Sequence, residues 1–181
     1  MKKIQKTIVL GLSGGIACYK SAELCRLFIK AGFEVITIMT ESATKFIQPL
    51  TFEALTQRKV ITSLWERGID DYIPHIELAK KTNLLVIAPA TANIIAKFYS
   101  GIADDFLSTF FLSYNGPKLI APAMNFEMYN YPATQRNIET LKKWKVKFIG
   151  PEYGELACKD KGRGRMAEPE KIFKEALKIL K

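Results

Sequence analysis

Five short runs rich in β-branched and aliphatic residues, Thr7–Leu12, Val35–Met39, Leu84–Ala88, Lys118–Ala121 and Val146–Ile149, alternate with stretches of helical spacing. Runs this apolar read as strands buried on both faces, and strands alternating with helices of ten or more residues build βαβ units. The result is an α/β architecture with a central parallel sheet covered by helices on both faces. The first unit is the clearest. TIVLGL leads into Ser13, Gly14 and Gly15, then into a helix with Leu24, Leu27, Phe28 and Ala31 on one face, stopped by Gly32.

Length sets the scale. With 181 residues, 48% of them hydrophobic, the chain reads as one domain without internal repeat or linker. Burial of about 70% of the unfolded surface holds such a domain together without metal or disulfide. Cys18, Cys25 and Cys158 form no CxxC pair, and His75 is the single histidine, so neither a zinc cluster nor a secreted disulfide framework is expected. The basic, then apolar start is interrupted between Gly11 and Gly15 and lacks a small-residue cleavage site. No apolar run approaches the ~20 residues of a membrane span. The expected setting is a reducing cytoplasm, with no membrane contact.

The net charge of +9 concentrates beyond Trp144, where ten Lys and Arg residues face six acids. No basic stripe with interleaved aromatics accompanies it, so nucleic acid is not an expected partner. A solvated face with a lysine-rich terminal helix accounts for most of this charge, and attraction of small anions such as phosphates is the narrower reading.

Ligands of parallel sheets sit at the carboxyl ends of strands. There lie Ser13–Gly15, Thr40–Ser42, PATAN at Pro89–Asn93 and PAMN at Pro122–Asn125, while GELACKDKGRGRMAEP at Gly154–Pro169 follows the last strand. The last segment is expected to be a mobile loop, its glycines permitting unusual backbone states. GxGxxG fails because Ser13 stands two places after Gly11, and the second strand ends at Thr40 instead of a ribose-binding acid. GxxxxGKS fails because Tyr19 replaces its second glycine. What survives is a glycine turn at a helix N-terminus, suited to a mononucleotide phosphate, with hydroxyls from Thr40 and Ser42 alongside.

Read together, SGGIACYK (Ser13–Lys20), PHIELA (Pro74–Ala79), APATANIIAKFYSGIADD (Ala88–Asp105), APAMNFEM (Ala121–Met128) and the GELACKDKGRGRMAEP segment resemble the flavin-dependent cysteine decarboxylase family, from about Lys6 to about Glu170. The resemblance implies a flavodoxin-like three-layer sandwich, assembly into trimers or trimers of trimers, and FMN near the subunit interface. It also implies conversion of 4′-phospho-N-pantothenoyl-L-cysteine to 4′-phosphopantetheine in coenzyme A synthesis. The stages are thiol oxidation, loss of CO2 with its electrons delocalised onto sulfur, and reduction of the enethiol, with no net oxidation. Fusion to, or cooperation with, phosphopantothenoylcysteine synthetase is a further implication.

The same resemblance assigns residues. Without it, His75 would read as a helix-start surface residue; it implies a base assisting thiol oxidation at a neighbouring subunit's flavin. Asn125 would read as a cap, and is implied to hold the substrate carboxylate. Cys158, lying among charged residues, is implied to donate a proton to the enethiol, while Cys18 and Cys25 read as core residues. Gly14, Gly15, Thr40 and Ser42 are implied around the FMN phosphate, and Thr91, Ala92, Asn93 and Ala123 around its ring. Asp104 and Asp105 read as a helix cap, not a metal pair.

Three positions depart from the family pattern: Ile94 where threonine is usual, Tyr129 where tryptophan is usual, and Lys159 where glycine often follows the cysteine. Ile94 removes one potential hydroxyl contact, Tyr129 bears on the substrate wall, and Lys159 either stiffens the flap or adds a phosphate contact. Decarboxylation of a peptide's terminal cysteine, flavin prenyl transfer and a flavin-binding regulatory subunit are the alternative functions.

Overall fold

Residue-to-residue alternation of side chains along each strand separates two apolar layers. Ile8, Leu10 and Leu12 of β1 (Thr7–Leu12), with Leu84, Val86 and Ala88 of β3 (Thr82–Ala90), enter one core; Val9, Leu85 and Ile87 enter the other. The computed structural model describes residues 5–65, 74–157, 159 and 161–181. Between these strands come α1 (Cys18–Lys30), β2 (Glu34–Met39), α2 (Glu41–Thr44), α3 (Pro49–Thr56) and α4 (Pro74–Lys81). Then follow α5 (Ala92–Ser100), α6 (Phe106–Ser113), β4 (Lys118–Pro122), α7 (Phe126–Asn130), α8 (Pro132–Lys143), β5 (Lys147–Phe148), β6 (Glu152–Glu155), β7 (Lys161–Arg165) and α9 (Pro169–Ile179).

The five-stranded sheet is parallel throughout, in the order β2-β1-β3-β4-β5. One layer is α1, α3 and α9, contributing Leu24, Phe28, Phe52 and Ile172; the opposite layer is α4, α5, α6 and α8, contributing Leu78, Phe98, Phe110 and Leu141. Burial of each such side chain stabilises the fold by roughly 1.5–3 kcal/mol. This is the expected three-layer, flavodoxin-like arrangement. Gly11 is explained by packing: a Cβ there would stand 2.5 Å from Leu107 Cδ1 and 2.8 Å from Ile87 Cδ1, so its absence lets α6 settle onto β1.

Boundaries shift modestly. The third strand extends to Thr82 and Ala90, and the last contracts to Lys147–Phe148, although Ile149 N still donates to Ile120 O at 2.9 Å. The larger correction concerns the segment expected to be a loop. Its described parts include an antiparallel ribbon, β6 against β7, in which Gly154 pairs with Gly162 and Glu155 with Lys161. Its glycines also serve a different purpose from the one expected. None of Gly154, Gly162 and Gly164 has positive φ. A Cβ on Gly164 would lie 2.1 Å from Met124 O, and one on Gly162 would lie 2.8 Å from Phe126. They allow the ribbon to press against the β4–α7 connection, where Met124 N donates to Gly164 O at 3.0 Å.

Candidate functional site

The strand order reverses direction between β1 and β3, and the crevice beyond their carboxyl ends is where such sheets hold ligands. A single hydroxyl ties the two ends together. Ser13 N and Oγ both donate to Pro89 O, at 3.2 and 2.9 Å, and Thr91 N donates to Ser13 Oγ at 2.9 Å. The serine is buried, so these bonds are shielded from competing water. Sequence reasoning missed this role because the acceptor lies 76 positions away.

Above this junction opens a cavity of about 640 Å³. Its lining is mainly apolar, from Ile16, Ala17, Met124, Met128, Leu156 and Met166, with Gly14 and Gly15 beneath and Lys20, Glu155 and Arg165 as charged groups. Of the expected residues, Gly14, Gly15, Thr91, Ala123 and Asn125 line it. Gly14 must be glycine: a Cβ would lie 2.4 Å from Ser42 Cβ and 2.9 Å from Ser42 O. A Cβ on Gly15 would meet only Thr91 Cγ2, at 3.8 Å. Thr91 caps α5, accepting from Ile94 N at 3.3 Å, and Ala123 N donates to Ala90 O at 2.9 Å, which joins β4 to the same rim.

Asn125 both caps a helix and faces the cavity. Its Oδ1 accepts from Glu127 N at 2.8 Å and caps α7, while the residue faces the cavity. The cap fixes the side chain's orientation. Thr40 and Ser42 are not part of the lining. Thr40 N donates to Leu12 O at 3.0 Å and its hydroxyl accepts from Ala43 N at 3.2 Å, capping α2, so this pair backs the Gly14 turn from behind. Ala92 and Asn93 open α5 and likewise lie outside the lining.

His75 stands on α4, its ring edge-on to Phe106 with centroids 6.5 Å apart. Within one chain it does not line the cavity. Cys158 lies outside the described residues. Cys18 and Cys25 are fully buried on α1; burial raises both thiols, Cys25 to about 12, and Cys18 Sγ donates to Ser13 O at 3.3 Å.

Asp105 caps α6 through a reciprocal capping box with Ser108, and Lys97 pairs with Asp104 at 2.7 Å and Asp105 at 2.8 Å. Among the described residues, no group of three or more His, Cys, Asp or Glu could hold a metal, and no helix is long and apolar enough to cross a membrane. Ile94 is buried in the core beneath α5, so a hydroxyl at its position would not face this cavity. Tyr129 packs toward the same core and lies outside the lining.

One charged cluster was not foreseen. Lys20 Nζ and Arg165 Nη2 both donate to Glu168 Oε1, at 2.8 and 3.1 Å. Glu168 precedes α9 without capping it; the hydrogen bond from Lys20, reinforced by the charges of Arg165 and Lys171, holds its carboxyl below the usual range.

A parallel 2-1-3-4-5 sheet with a glycine turn opening into an apolar crevice at its switch point defines a flavodoxin-like, mononucleotide-binding class of protein. Comparison with known proteins narrows this. The flavoprotein family model matches residues 1–181, and the chain belongs to that family. The coenzyme A biosynthesis bifunctional proteins of Haemophilus influenzae and Bacillus subtilis are each 46% identical over 173 residues, which cover 96% of this chain and 43% of the relative. The chain therefore spans less than half the length of these curated relatives. A PPC decarboxylase variant complexed with pantothenoylaminoethenethiol superimposes with a TM-score of 0.84, at 32% identity over 96% of this chain and 97% of the other. The FMN binding protein AtHal3 gives 0.82, also at 32% identity, over 96% and 95%.

Proposed function

We propose that this chain is an FMN-dependent decarboxylase converting 4′-phospho-N-pantothenoyl-L-cysteine to 4′-phosphopantetheine, working in the cytoplasm in coenzyme A synthesis. The observation that carries this reading is one cavity at the β1/β3 switch point that gathers the Gly14–Gly15 turn, Thr91, Ala123 and Asn125. Support comes from the coenzyme A biosynthesis relatives and from the PPC decarboxylase likeness. The cavity suits FMN: Gly14 lets the turn seat against Ser42, the bare backbone at Gly15 leaves room for a phosphate, and apolar methionine and leucine side chains accept a flat ring. When bound, FMN supplies a reversible two-electron acceptor, which decarboxylation of a cysteine amide needs because direct loss of CO2 would leave an unstabilised carbanion.

The chain's own groups supply positioning and proton transfer. Asn125, fixed by its cap on α7, presents an amide that holds the substrate carboxylate without adding charge. His75 takes the thiol proton at the cavity of a neighbouring copy, which makes assembly a condition of activity. Cys158 returns a proton to the enethiol as it is reduced. The β6–β7 ribbon, which contributes Glu155, Gly164 and Arg165 to the lining, helps exclude water from the substrate. The chain works with, or is joined to, the synthetase that makes its substrate.

The test is mass analysis after incubating FMN-loaded protein with 4′-phospho-N-pantothenoyl-L-cysteine and, separately, with a cysteine-terminated peptide. Loss of CO2 from the phosphorylated compound alone is expected. Turnover of the peptide instead reassigns the chain to peptide maturation, and turnover of neither by flavin-bound protein rejects decarboxylation.

A further inference from the structure

We propose that Lys20 and Arg165, bridged by Glu168, form the subsite for the phosphate of the substrate. The inference rests on the decarboxylase reading and assigns the part of the cavity that recognises a phosphorylated compound. Both cations line the cavity, and each reaches the same carboxylate oxygen, at 2.8 and 3.1 Å. They come from distant parts of the chain: Lys20 from the first turn of α1, Arg165 from the end of β7.

The setting favours strong anion binding. The Lys20 side chain is only 13% exposed, where a charge acts through less water and attracts an anion more strongly. Arg165 lies across Gly154, where a Cβ would come within 2.7 Å of its Cδ and 2.8 Å of its Nη1, so glycine there leaves the path the guanidinium follows. Glu168 accepts one bond from each cation, whereas lysine carries three donors and arginine five, leaving capacity for a second acceptor. Lys20, Arg165 and Glu168 together carry one net positive charge, and Glu155 is the acid elsewhere in the lining. A phosphate monoester dianion matches two cations that already share an oxygen acceptor, and its several oxygens suit both ammonium and guanidinium. Glu168 holds the pair in place before substrate arrives.

Both the substrate and FMN carry a phosphate monoester, and two measurements on K20M and R165M separate them. The first compares 4′-phospho-N-pantothenoyl-L-cysteine with N-pantothenoyl-L-cysteine. Each variant is expected to lower the phosphorylated-to-dephosphorylated ratio of kcat/KM by about tenfold or more, through KM of the phosphorylated compound, with K20R recovering most of the loss. The second titrates the flavin-free chain with FMN and riboflavin by fluorescence; the FMN-to-riboflavin affinity ratio is expected to match that of the unsubstituted protein.

An unchanged kcat/KM ratio would overturn the proposal. A selective loss of FMN binding would overturn it in favour of the cofactor's phosphate at these residues. Inactivity of the unsubstituted, FMN-loaded chain on both compounds would instead reject the decarboxylase reading, and this inference with it.

Discussion

Lys159 shows how one residue can run against its local backbone. Its φ of +69° lies in the left-handed region, while its N donates to Leu156 O at 2.9 Å and closes a turn between the ribbon strands. A side chain with Cβ is strained there, and glycine is not. Relief of a left-handed conformation that costs about 1–2 kcal/mol for a residue with Cβ outweighs the roughly 0.4–1 kcal/mol lost to glycine's extra unfolded-state entropy. Lys159→Gly is therefore expected to stabilise the protein by about 0.5–1 kcal/mol net, as a higher urea midpoint at unchanged slope. Cys158, its neighbour, carries a chemical prediction: Cys158→Ser is expected to release CO2 yet accumulate the oxidised enethiol, seen by mass analysis. Normal saturated product from that variant would remove the proton-donor role.

Among elements, α1 joins the sheet, the cavity and the α9 layer, and it carries two thiols that only the unfolded chain ionises readily. Cys25 is pushed by burial to about 12 from an ordinary 9.0, and Cys18 moves in the same direction. A folded-state value above the unfolded one means that the folded chain retains protons which the unfolded chain releases. The contribution is complete below about pH 9 and is lost progressively as pH rises toward 12. Denaturant melts from pH 8 to 10.5 are expected to show falling stability, with Cys25→Ala reducing the slope; a slope unchanged by that substitution would contradict the assignment.

Which elements could be read from sequence follows from burial. β1, β3 and β4 are covered on both faces, so apolar runs mark them plainly. β6 and β7 carry EYGE and KGRGR, with too few apolar residues to signal a strand; they form because glycines let them approach α7 and each other. The glycine turn, Thr91, Ala123 and Asn125 were legible because local motifs carry them. The Lys20–Glu168 pair was not, since 148 positions separate its members and no local pattern links them.

At the scale of the whole molecule, His75 lies outside its own chain's cavity, and the proposed base role then requires a second copy. If His75 serves a neighbouring copy, His75→Asn and Asn125→Asp variants are each inactive alone but complement each other. Mixing the two after dissociation and reassembly is expected to restore CO2 release, because some sites then pair an intact Asn125 with an intact His75. No recovery in mixed assemblies verified by mass would place both residues' work within one chain.

The Ser13 bonds to Pro89 and Thr91 also fix when the cavity is born. They span 76 and 78 positions, so the glycine turn is correctly seated only after a long chain segment has closed and β3 has docked beside β1. A growing polypeptide that has emerged only through α1 carries the glycines but no receptacle for a nucleotide. Cofactor capture thus reports that β3 has docked beside β1, and a chain arrested before β3 lacks the seat for the nucleotide.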